Sequence, residues 1–474
     1  MRGFLTLAEY VFIKKWKGFK TMSQIISAKS RMKLNNLSPT RIIVSSFAII
    51  ILIGSILLNL PIASNDGVSI GYINAVFTAT SATCVTGLVI ADTLAQWTLF
   101  GQIVILILIQ VGGLGIVTLA TFFSVLLGRK ISMKGKIIAQ ESISNYNFTQ
   151  VTEMIKRIIL ITFTVELLGA IFLSFRFIPR FGLKGIYMSI FHSISSFCNA
   201  GFDLMGDYRS LTEFNGDPVV IYTTATLIII GGLGFIVWQD LYDYHNLHRL
   251  YLHTKIVLIM SFSLIVFGAV FFIILESGNP ETLGSLTLFE KINAVVFHSV
   301  TCRTAGFNSL PINEMSEVSK MTSILLMFIG AAPGSTGGGI KVTTFGIIII
   351  AIASNIRGND ETIVLRRKVS QEVVNKAISI ASLSIVIIFI VTIIIISVEK
   401  ISFVNVLYEV TSAFGTVGLS TGITPYLHNV SKLLLIFTMF LGRVGPLTFA
   451  IAVAMKANRT SRNSVYPEGK IMVG

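Results

Sequence analysis

The sequence predicts an all-α polytopic membrane protein made of four similar units, and three observations lead to this class. The chain of 474 residues is 53% hydrophobic and only 13% charged, with a mean hydropathy of +0.79. Apolar runs such as 41–60 and 378–398 recur along its length, and each is near the roughly 20 residues that cross a bilayer as a helix. A short motif rich in small residues occurs four times between such runs.

The basic residues are unevenly distributed, although the net charge is +14. Of the 37 Lys and Arg residues, 26 lie in five segments that hold only 9 of the 23 acidic residues. These segments are 1–41, 128–157, 239–255, 355–376 and the tail from Lys456. The positive-inside rule therefore predicts a multi-pass protein of the plasma membrane with both termini in the cytoplasm, and not a nucleic-acid-binding protein. The basic stretch 176–185 departs from this pattern and is predicted to be interfacial.

Cysteine usage and motif content argue against an enzyme. Three cysteines cannot form a disulfide framework, and no CxxC or His/Cys metal spacing is present. The sequence also contains no P-loop, nucleophile elbow, HExxH motif or Rossmann glycine fingerprint. We therefore expect the chain itself not to bind a nucleotide.

The four-fold repeat is the most informative feature. The segments 74–88, 188–202, 293–307 and 404–419 each combine an aromatic or apolar start, a Ser/Thr-rich middle and a closing glycine followed by Leu or Phe. The glycines are Gly87, Gly201, Gly306 and Gly418. Apolar runs precede the motifs at about 42–60, 156–175, 254–275 and 374–398, and follow them at about 98–127, 218–238, 319–353 and 430–455. The predicted unit is therefore helix, short re-entrant segment, helix, with eight transmembrane helices in all.

Non-helical backbone at mid-membrane depth is tolerated where it is buried in protein or lines a water-filled path. Four such segments around one axis can offer rings of carbonyl oxygens to a dehydrated cation, and glycine permits the backbone angles required. The predicted selectivity filter consists of Thr83, Cys84, Val85, Thr86, Gly87, Phe197, Cys198, Asn199, Ala200, Gly201, Cys302, Arg303, Thr304, Ala305, Gly306, Phe414, Gly415, Thr416, Val417 and Gly418. Without a carboxylate ring it favours a monovalent cation. The alternative is that the glycines only let hairpins turn against neighbouring helices.

Acidic residues follow the filter segments and are predicted to attract cations to an outer vestibule. They are Asp92, Asp203, Asp207, Glu213, Asp217, Glu314 and Glu317.

The second helix of the third unit is interrupted at 330–344, "GAAPGSTGGGIKVTT". Proline and several glycines cannot continue a helix at low cost, so this segment predicts either a kink or a flexible loop across the path beneath the filter. The loop residues are Gly334, Ser335, Thr336, Gly337, Gly338, Gly339 and Lys341. The "GGLG" motifs at 112–115 and 231–234 are interpreted as close helix packing.

Single polar residues within the apolar runs are further candidates. Arg443 is about thirteen residues from Lys456, roughly 20 Å along a helix and too deep to reach the interface. Glu166 is expected to pair with a polar neighbour, although an ion-coupling site is an alternative. His192, His298 and Glu409 are interpreted as hydrogen-bonding supports behind the filter, with a proton relay as the alternative. Cys84, Cys198 and Cys302 are expected to fill small spaces rather than bind metal.

The repeat resembles the potassium transporter superfamily that includes the Ktr, Trk and HKT proteins. All four filter motifs match it, over about residues 40–474, and the resemblance is strongest to the membrane subunits of the Ktr uptake system. Only about 40 residues precede the first unit, which favours Ktr over Trk, and the glycine at Gly87 favours potassium over sodium. The resemblance implies four channel-like M1–P–M2 units around a pseudo-fourfold pore, with filter, gating loop and pore-facing Arg443. Lys341 is expected either to act as Arg443 does or to reach the cytoplasmic mouth.

The resemblance also implies a mode of action and partners. It implies channel-like potassium uptake in a bacterial cell membrane, a homodimer in membrane lipid, and control by a cytoplasmic RCK ring of the KtrA type that binds the nucleotide. Sodium-dependent uptake or symport is left open. An alternating-access transporter is disfavoured because the four units run in parallel. The expected docking surfaces are 128–150 and 357–372, and the tail 466–474 is expected at the dimer interface.

The predicted organisation divides the chain into five parts. They are a basic cytoplasmic arm (1–40), repeat 1 (41–127), repeat 2 with its preceding connection (128–240), repeat 3 with the gating loop (241–354), and repeat 4 with the tail (355–474).

Overall fold

The computed structural model describes residues 39–115, 118, 151–359 and 361–454, and these are almost entirely helical. The first group of helices is α1 (Pro39–Leu58), α2 (Tyr72–Thr83), α3 (Thr93–Gln96) and α4 (Leu99–Leu114). The second is α5 (Val151–Phe181), α6 (Lys184–Phe197), α7 (Pro218–Leu233) and α8 (Phe235–Leu247). The third is α9 (Leu252–Glu276), α10 (Leu288–Thr301), α11 (Glu317–Phe328) and α12 (Val342–Ile356). The fourth is α13 (Gln371–Glu399), α14 (Phe403–Gly415), α15 (Asn429–Val444) and α16 (Pro446–Ala454).

Short elements connect these helices. Single 3₁₀ turns occupy Pro61–Ala63, Thr212–Phe214, Ile312–Glu314 and Thr424–Tyr426, and a π turn occupies Pro280–Gly284. The strands β1 (Ile363–Val364) and β2 (Arg367–Lys368) form an antiparallel hairpin between α12 and α13, with Ile363 opposite Lys368. This hairpin lies within the predicted docking surface 357–372. The other expected contact segments, 128–150 and 466–474, and the basic arm before residue 39 lie outside the described residues.

Four helices in the described part of the chain are long and apolar enough to cross a membrane: Arg41–Leu58, Glu153–Phe181, Leu252–Glu276 and Gln371–Glu399. The pair α7 and α8 makes a fifth span if it is counted as one helix, although it bends by 94°. The other predicted spans fall on the second long helices of the groups, which are shorter because their backbone is interrupted. Eight transmembrane helices therefore remain a prediction.

The interruptions occur at glycines with a left-handed backbone. Helix α4 ends before Gly115 (φ 82°), α7 before Gly234 (φ 90°) and α15 before Gly445 (φ 92°). A residue in this region of backbone space cannot continue a right-handed helix, and glycine adopts it without steric cost. The second long helices of the first, second and fourth groups therefore also end or break at a glycine, besides the predicted interruption in the third. The third unit differs in the length of its break, which separates α11 from α12.

The first glycine of each "GGLG" motif makes the close contact that the sequence predicts. A Cβ atom added to Gly112 or Gly231 would lie 1.9 Å from the carbonyl oxygen of Thr83 or Phe197, respectively. The packing interpretation of these motifs is confirmed for their first glycine. Their last glycine has the second role of ending the helix.

The core lies around the short helices α2, α6, α10 and α14. The aromatic residues that align in the four sequence motifs, Phe77, Phe191, Phe297 and Tyr408, are all fully buried. The long helices surround this core and expose apolar side chains outward, for example Ile49, Ile53 and Ile56 on α1. Apolar side chains on the outer surface and polar loops near the centre are the arrangement expected of a protein surrounded by lipid.

The basic stretch 176–185 is the end of one helix and the start of the next. Helix α5 continues through Pro179 to Phe181, and α6 begins at Lys184. Arg176 forms an ion pair with Asp217 at 3.1 Å, and Arg180 forms another with Glu213. Acids before α7 therefore pair with these arginines, and the interfacial position of the stretch stays a prediction.

Three predicted unit boundaries, 40/41, 240/241 and 354/355, fall inside α1, α8 and α12, and the boundary 127/128 lies outside the described residues. Hydropathy shows where a run of residues becomes apolar, whereas the end of a helix is set by its backbone conformation. The two boundaries therefore need not coincide.

Candidate functional site

The four predicted filter segments follow the short helices and share one backbone path. The residue two positions before each closing glycine has a positive φ: 58° at Val85, 59° at Asn199, 80° at Thr304 and 51° at Thr416. The closing glycines Gly87, Gly201, Gly306 and Gly418 have φ values of 87°, 70°, 82° and 94°. Non-glycine residues adopt positive φ rarely, so its occurrence at the same place in four segments marks a specific loop geometry.

The four segments lie next to one another in a closed order. A Cβ atom added to Gly87 would lie 2.4 Å from the carbonyl oxygen of Ala200, and one on Gly201 would lie 2.7 Å from that of Ala305. The same construction places Gly306 at 2.4 Å from the Val417 oxygen and Gly418 at 2.3 Å from the Thr86 oxygen. The contacts therefore return to the first segment, and none of the four positions has room for a side chain.

All twenty residues of the predicted filter are buried. The three cysteines among them are free. Among the described residues, no group of three or more His, Cys, Asp or Glu is placed to hold a metal ion. The twenty residues therefore include no carboxylate, and each segment offers consecutive main-chain carbonyls.

The short helices direct their C-terminal ends towards this ring. Helices α2, α6 and α10 end at Thr83, Phe197 and Thr301, and α14 ends at Gly415. The C-terminus of a helix carries a partial negative charge that favours a nearby cation. Four such ends beside the carbonyls of one ring produce a local field that is favourable for a cation without any ionised side chain.

A cavity of about 410 Å³ lies on one side of the ring and is lined by the four closing glycines. Of the seven predicted vestibule acids, Asp92, Asp203 and Glu314 line it. Asp92 is also held in place, because its carboxylate accepts the main-chain N–H groups of Ala95 at 2.8 Å and Tyr208 at 3.0 Å.

The other four predicted acids form ion pairs. Asp207 and Glu213 pair with Arg209, Asp217 pairs with Arg176, and Glu317 pairs with Lys320. Three of the seven predicted acids therefore line the cavity, and the other four have a basic partner outside its lining.

Asp203, two residues after Gly201, has an unusual environment. Burial raises the pKa of its carboxyl to about 6, and the nearby charge of Asp92 acts in the same direction. A hydrogen bond from the Met205 N–H, at 3.0 Å, opposes this effect. The vestibule therefore contains a carboxylate that gains a proton in mildly acidic solution.

The segment 330–341 lies at the other end of the filter segments. The Gly338 N–H donates to Thr416 Oγ1 at 2.9 Å, and Thr336 Oγ1 donates to the Phe197 carbonyl at 3.2 Å. A Cβ atom on Gly337 would lie 2.3 Å from Thr304 Oγ1. The loop therefore contacts the second, third and fourth filter segments directly.

Main-chain hydrogen bonds fasten this loop to the broken helices. The Ala332 N–H donates to the Gly232 carbonyl at 3.0 Å, and the Gly339 N–H donates to the Gly442 carbonyl at 3.3 Å. In the opposite direction, the Phe235 N–H donates to a loop carbonyl at 2.9 Å. The helix breaks supply the free backbone groups that hold the loop.

Arg443 joins the loop to the first group of helices. One guanidinium nitrogen donates to the Thr336 carbonyl, and the other donates to the carbonyls of Gly112 and Gly113, the latter at 3.3 Å. Lys341 instead donates to carbonyls of its own loop, to Gly337 at 2.7 Å. Of its two expected placements, the structure therefore favours a contact that resembles that of Arg443.

Of the predicted supports behind the filter, His192 and Glu409 form hydrogen bonds to the loops that follow it, and His298 contacts the next helix, α11. His192 Nε2 accepts the Leu204 N–H at 3.3 Å, and Glu409 accepts the Thr421 N–H and the Thr424 hydroxyl, both at 2.9 Å. His298 Nε2 lies 3.3 Å from Ser323 Oγ, on α11. These contacts match the supporting role that the sequence suggests.

Sequence reasoning missed three kinds of residue. It did not identify the helix-ending glycines Gly115, Gly234 and Gly445. It did not identify Lys432, which is buried and donates to Asn74 Oδ1 on α2 at 3.2 Å. It also missed Gln110, the amide that pairs with Glu166 at 3.0 Å. A single amide in the apolar run "ILILIQVGG" was the signal that could have revealed Gln110.

Comparison with known proteins yields matches over nearly the whole chain. The TrkH family model, described as cation transport protein, matches residues 11–463. The Ktr system potassium uptake protein B of Bacillus subtilis is 39% identical over 439 residues, which cover 92% of this chain and 97% of that protein. The potassium/sodium uptake protein NtpJ of Enterococcus hirae is 40% identical over 451 residues, which cover 94% of this chain and 99% of that protein.

A solved structure is also similar in fold. The potassium transporter TrkH of Vibrio parahaemolyticus superposes with a TM-score of 0.70 over 90% of this chain and 86% of that one, at 19% sequence identity.

Proposed function

This chain belongs to the TrkH family of cation transport proteins, and from this premise we propose that it conducts potassium ions into the cell through a filter formed by its four glycine-closed segments. It is a polytopic membrane protein, and we place it in the bacterial cell membrane because its close relatives are bacterial uptake proteins. The observation that carries the proposal is the closed order of Gly87, Gly201, Gly306 and Gly418, each against the carbonyl of the next segment.

The chemistry of this ring suits a monovalent cation. A potassium ion that loses its water needs several oxygen ligands at once, and carbonyls from four segments can replace that shell. The ring residues provide no carboxylate, which a divalent cation would require for strong binding. The acids Asp92, Asp203 and Glu314 stand outside in the cavity, where they raise the local cation concentration without holding an ion tightly.

We propose that the loop 330–341 is the gate. It lies against three filter segments on the side away from the cavity, so a cation leaving the filter meets the loop and the guanidinium of Arg443. Movement of the loop requires the loss of a few main-chain hydrogen bonds and of the Arg443 contact. It also requires buried loop residues such as Ala332 and Ile340 to leave their places in the core.

Control of the gate requires a partner in this proposal. We propose a homodimer in the membrane, in contact with a cytoplasmic RCK ring of the KtrA type that binds the nucleotide. The term Ktr system in the names of relatives supports a separate regulatory subunit. The name of the Enterococcus relative supports sodium involvement in uptake, so sodium symport is the second candidate mode.

The purified chain in liposomes tests these statements. We expect uptake of a rubidium or potassium tracer that saturates as the external potassium concentration increases. This uptake should strongly exceed the uptake of sodium. An imposed sodium gradient distinguishes the modes, because symport adds flux in proportion to the gradient whereas channel-like permeation does not. Equal potassium and sodium fluxes at all concentrations would contradict the filter.

A further inference from the structure

A buried polar cluster lies directly behind the second filter segment. Gln110 of α4 donates its side-chain amide to both carboxylate oxygens of Glu166 on α5, at 3.0 and 3.3 Å. The thiol of Cys198 lies 3.7 Å from Gln110 Oε1 and 4.0 Å from Glu166 Oε1. The main-chain carbonyl of Glu166 also accepts the hydroxyl of Ser193, at 2.6 Å. Two helix groups and one filter segment therefore meet at a single carboxylate.

The residue that corresponds to Glu166 in the next group is apolar. Gly169 of α5 and Gly268 of α9 occupy equivalent positions, since a Cβ atom on either would lie 2.5 or 2.3 Å from a serine hydroxyl of the following short helix. Three residues earlier stand Glu166 and Ile265 respectively. The packing of a long helix on its short helix therefore does not require an acid at this position.

The residue that corresponds to Gln110, the partner of Glu166, is also apolar in the next group. Gly112 and Gly231 are equivalent, because each is in contact with the C-terminal end of a short helix. Two residues before them stand Gln110 and Ile229. At the positions equivalent to Gln110 and Glu166, the next interface between groups therefore has the apolar residues Ile229 and Ile265. Because burying an amide and a carboxylate costs desolvation free energy, the polar pair needs a reason other than packing.

We propose that Gln110, Glu166 and Cys198 form a positioning site that sets the cation specificity of the second filter segment. The inference rests on the proposed function. Cys198 immediately precedes Asn199, which has a φ of 59°, so the contacts of its thiol with Gln110 and Glu166 act next to this turn. A Cβ atom on Gly113 would lie 2.7 Å from Cys198 Sγ, so the same site adjoins the carbonyls that receive Arg443.

The test uses the chain's own apolar interface as a control. We compare Glu166→Ile, the double variant Gln110→Ile/Glu166→Ile and Glu166→Gln with the parent in liposomes, at matched amounts of folded protein. The double variant copies the residues of the next interface, so its Tm should stay near that of the parent. We expect its potassium-to-sodium flux ratio to fall about fivefold, the effect of losing one hydrogen bond at the filter. Glu166→Gln keeps the shape of the side chain and one acceptor oxygen, so its flux ratio should fall less.

The flux ratio and the Tm of the double variant decide whether the cluster positions the filter or only fills space. If the double variant keeps both the Tm and the flux ratio of the parent, the cluster only fills space and the inference is overturned. A lower ratio in the double variant, with partial rescue in Glu166→Gln, supports it even where Glu166→Ile alone does not fold. If Glu166→Gln keeps the parent's potassium-to-sodium flux ratio, the proposal holds only when the double variant has a lower ratio than the parent. A parent protein that shows no selective potassium flux overturns the proposed function itself.

Discussion

Arg443 on α15 donates a hydrogen bond to the main-chain carbonyl of Thr336, a residue 107 positions earlier in the loop between α11 and α12. The same guanidinium donates to the carbonyl of Gly112 at the end of α4. A hydrogen bond from a charged donor contributes about 1.5–3 kcal/mol when it is buried. Arg443 therefore fastens the loop to two groups of helices at once.

The first prediction concerns the substitution of Arg443. Arg443→Ala removes the bonds to Thr336 and Gly112 and a positive charge beneath the filter. We expect potassium flux in liposomes to increase about fivefold, a coupling of the size that links two sites in one protein. The control is Arg443→Lys, which keeps the charge but replaces the rigid guanidinium fork with a compact ammonium on a flexible stem, and it should give an intermediate flux. Lower flux in Arg443→Ala with normal folding would show that the arginine supports conduction.

Shortening the loop is the second prediction. Removing three residues from 334–339 should increase potassium flux more than Arg443→Ala does, because it removes the obstruction as well as its fastening. Dependence on the cytoplasmic partner should weaken, while the potassium-to-sodium ratio should largely survive because the carbonyl ring is untouched.

Ser335→Ala is the matched control for this deletion, since the hydroxyl of Ser335 bonds only within the loop, to the Ala332 carbonyl at 2.6 Å. It should leave flux unchanged. A shortened protein that folds normally yet conducts less than the parent would mean that the loop is a structural support and not a gate.

The third prediction concerns the ring. In Gly87→Ser, a side chain would meet the Ala200 carbonyl, which a Cβ atom approaches to 2.4 Å. The carbonyl must turn or shift, so we expect the potassium-to-sodium flux ratio to fall about tenfold, equivalent to about 1.4 kcal/mol.

Gly71→Ser controls for backbone strain, because Gly71 has a φ of 92° and no atom within 4 Å of an added Cβ. It should cost a little stability and leave selectivity unchanged. Equal selectivity in Gly87→Ser and the parent, at normal expression, would count against the filter assignment.

The fourth prediction concerns pH. Burial raises the pKa of Asp203 to about 6, so the side chain is ionised at pH 7.5 and becomes mostly neutral below pH 6. Loss of its charge weakens the attraction of cations to the vestibule, and the apparent KM for potassium should increase about threefold between pH 7.5 and 5.5.

Asp203→Asn should show the higher KM at both pH values. Asp207→Asn is the control, since Asp207 is exposed and pairs with Arg209 at 3.4 Å. It should retain the parent's pH profile. If Asp203→Asn titrates as the parent does, another group is responsible for the pH dependence.

Much of the site was predictable because the repeat is local in sequence. The spacing of Gly87, Gly201, Gly306 and Gly418 and the aromatic residue before each identify the four segments without any structure. Arg443 was predictable as well, since a charge deep in an apolar run requires an explanation.

The sequence by itself determined the class of the protein, the four glycine-closed segments and the one long interruption, because periodicity, hydropathy and backbone-restricting residues act within a short stretch of chain. Only the tertiary structure decided which residues meet. It placed Ala200 against Gly87 and Thr336 against Arg443, and it paired four of the seven vestibule acids with basic residues. It also showed that Gly115, Gly234 and Gly445 end helices. The contacts of Gly87 and Arg443 join residues more than a hundred positions apart, and the helix ends depend on a backbone angle that neighbouring elements impose. The acid–base pairs join residues closer in sequence, but whether their side chains meet depends on how the loops fold.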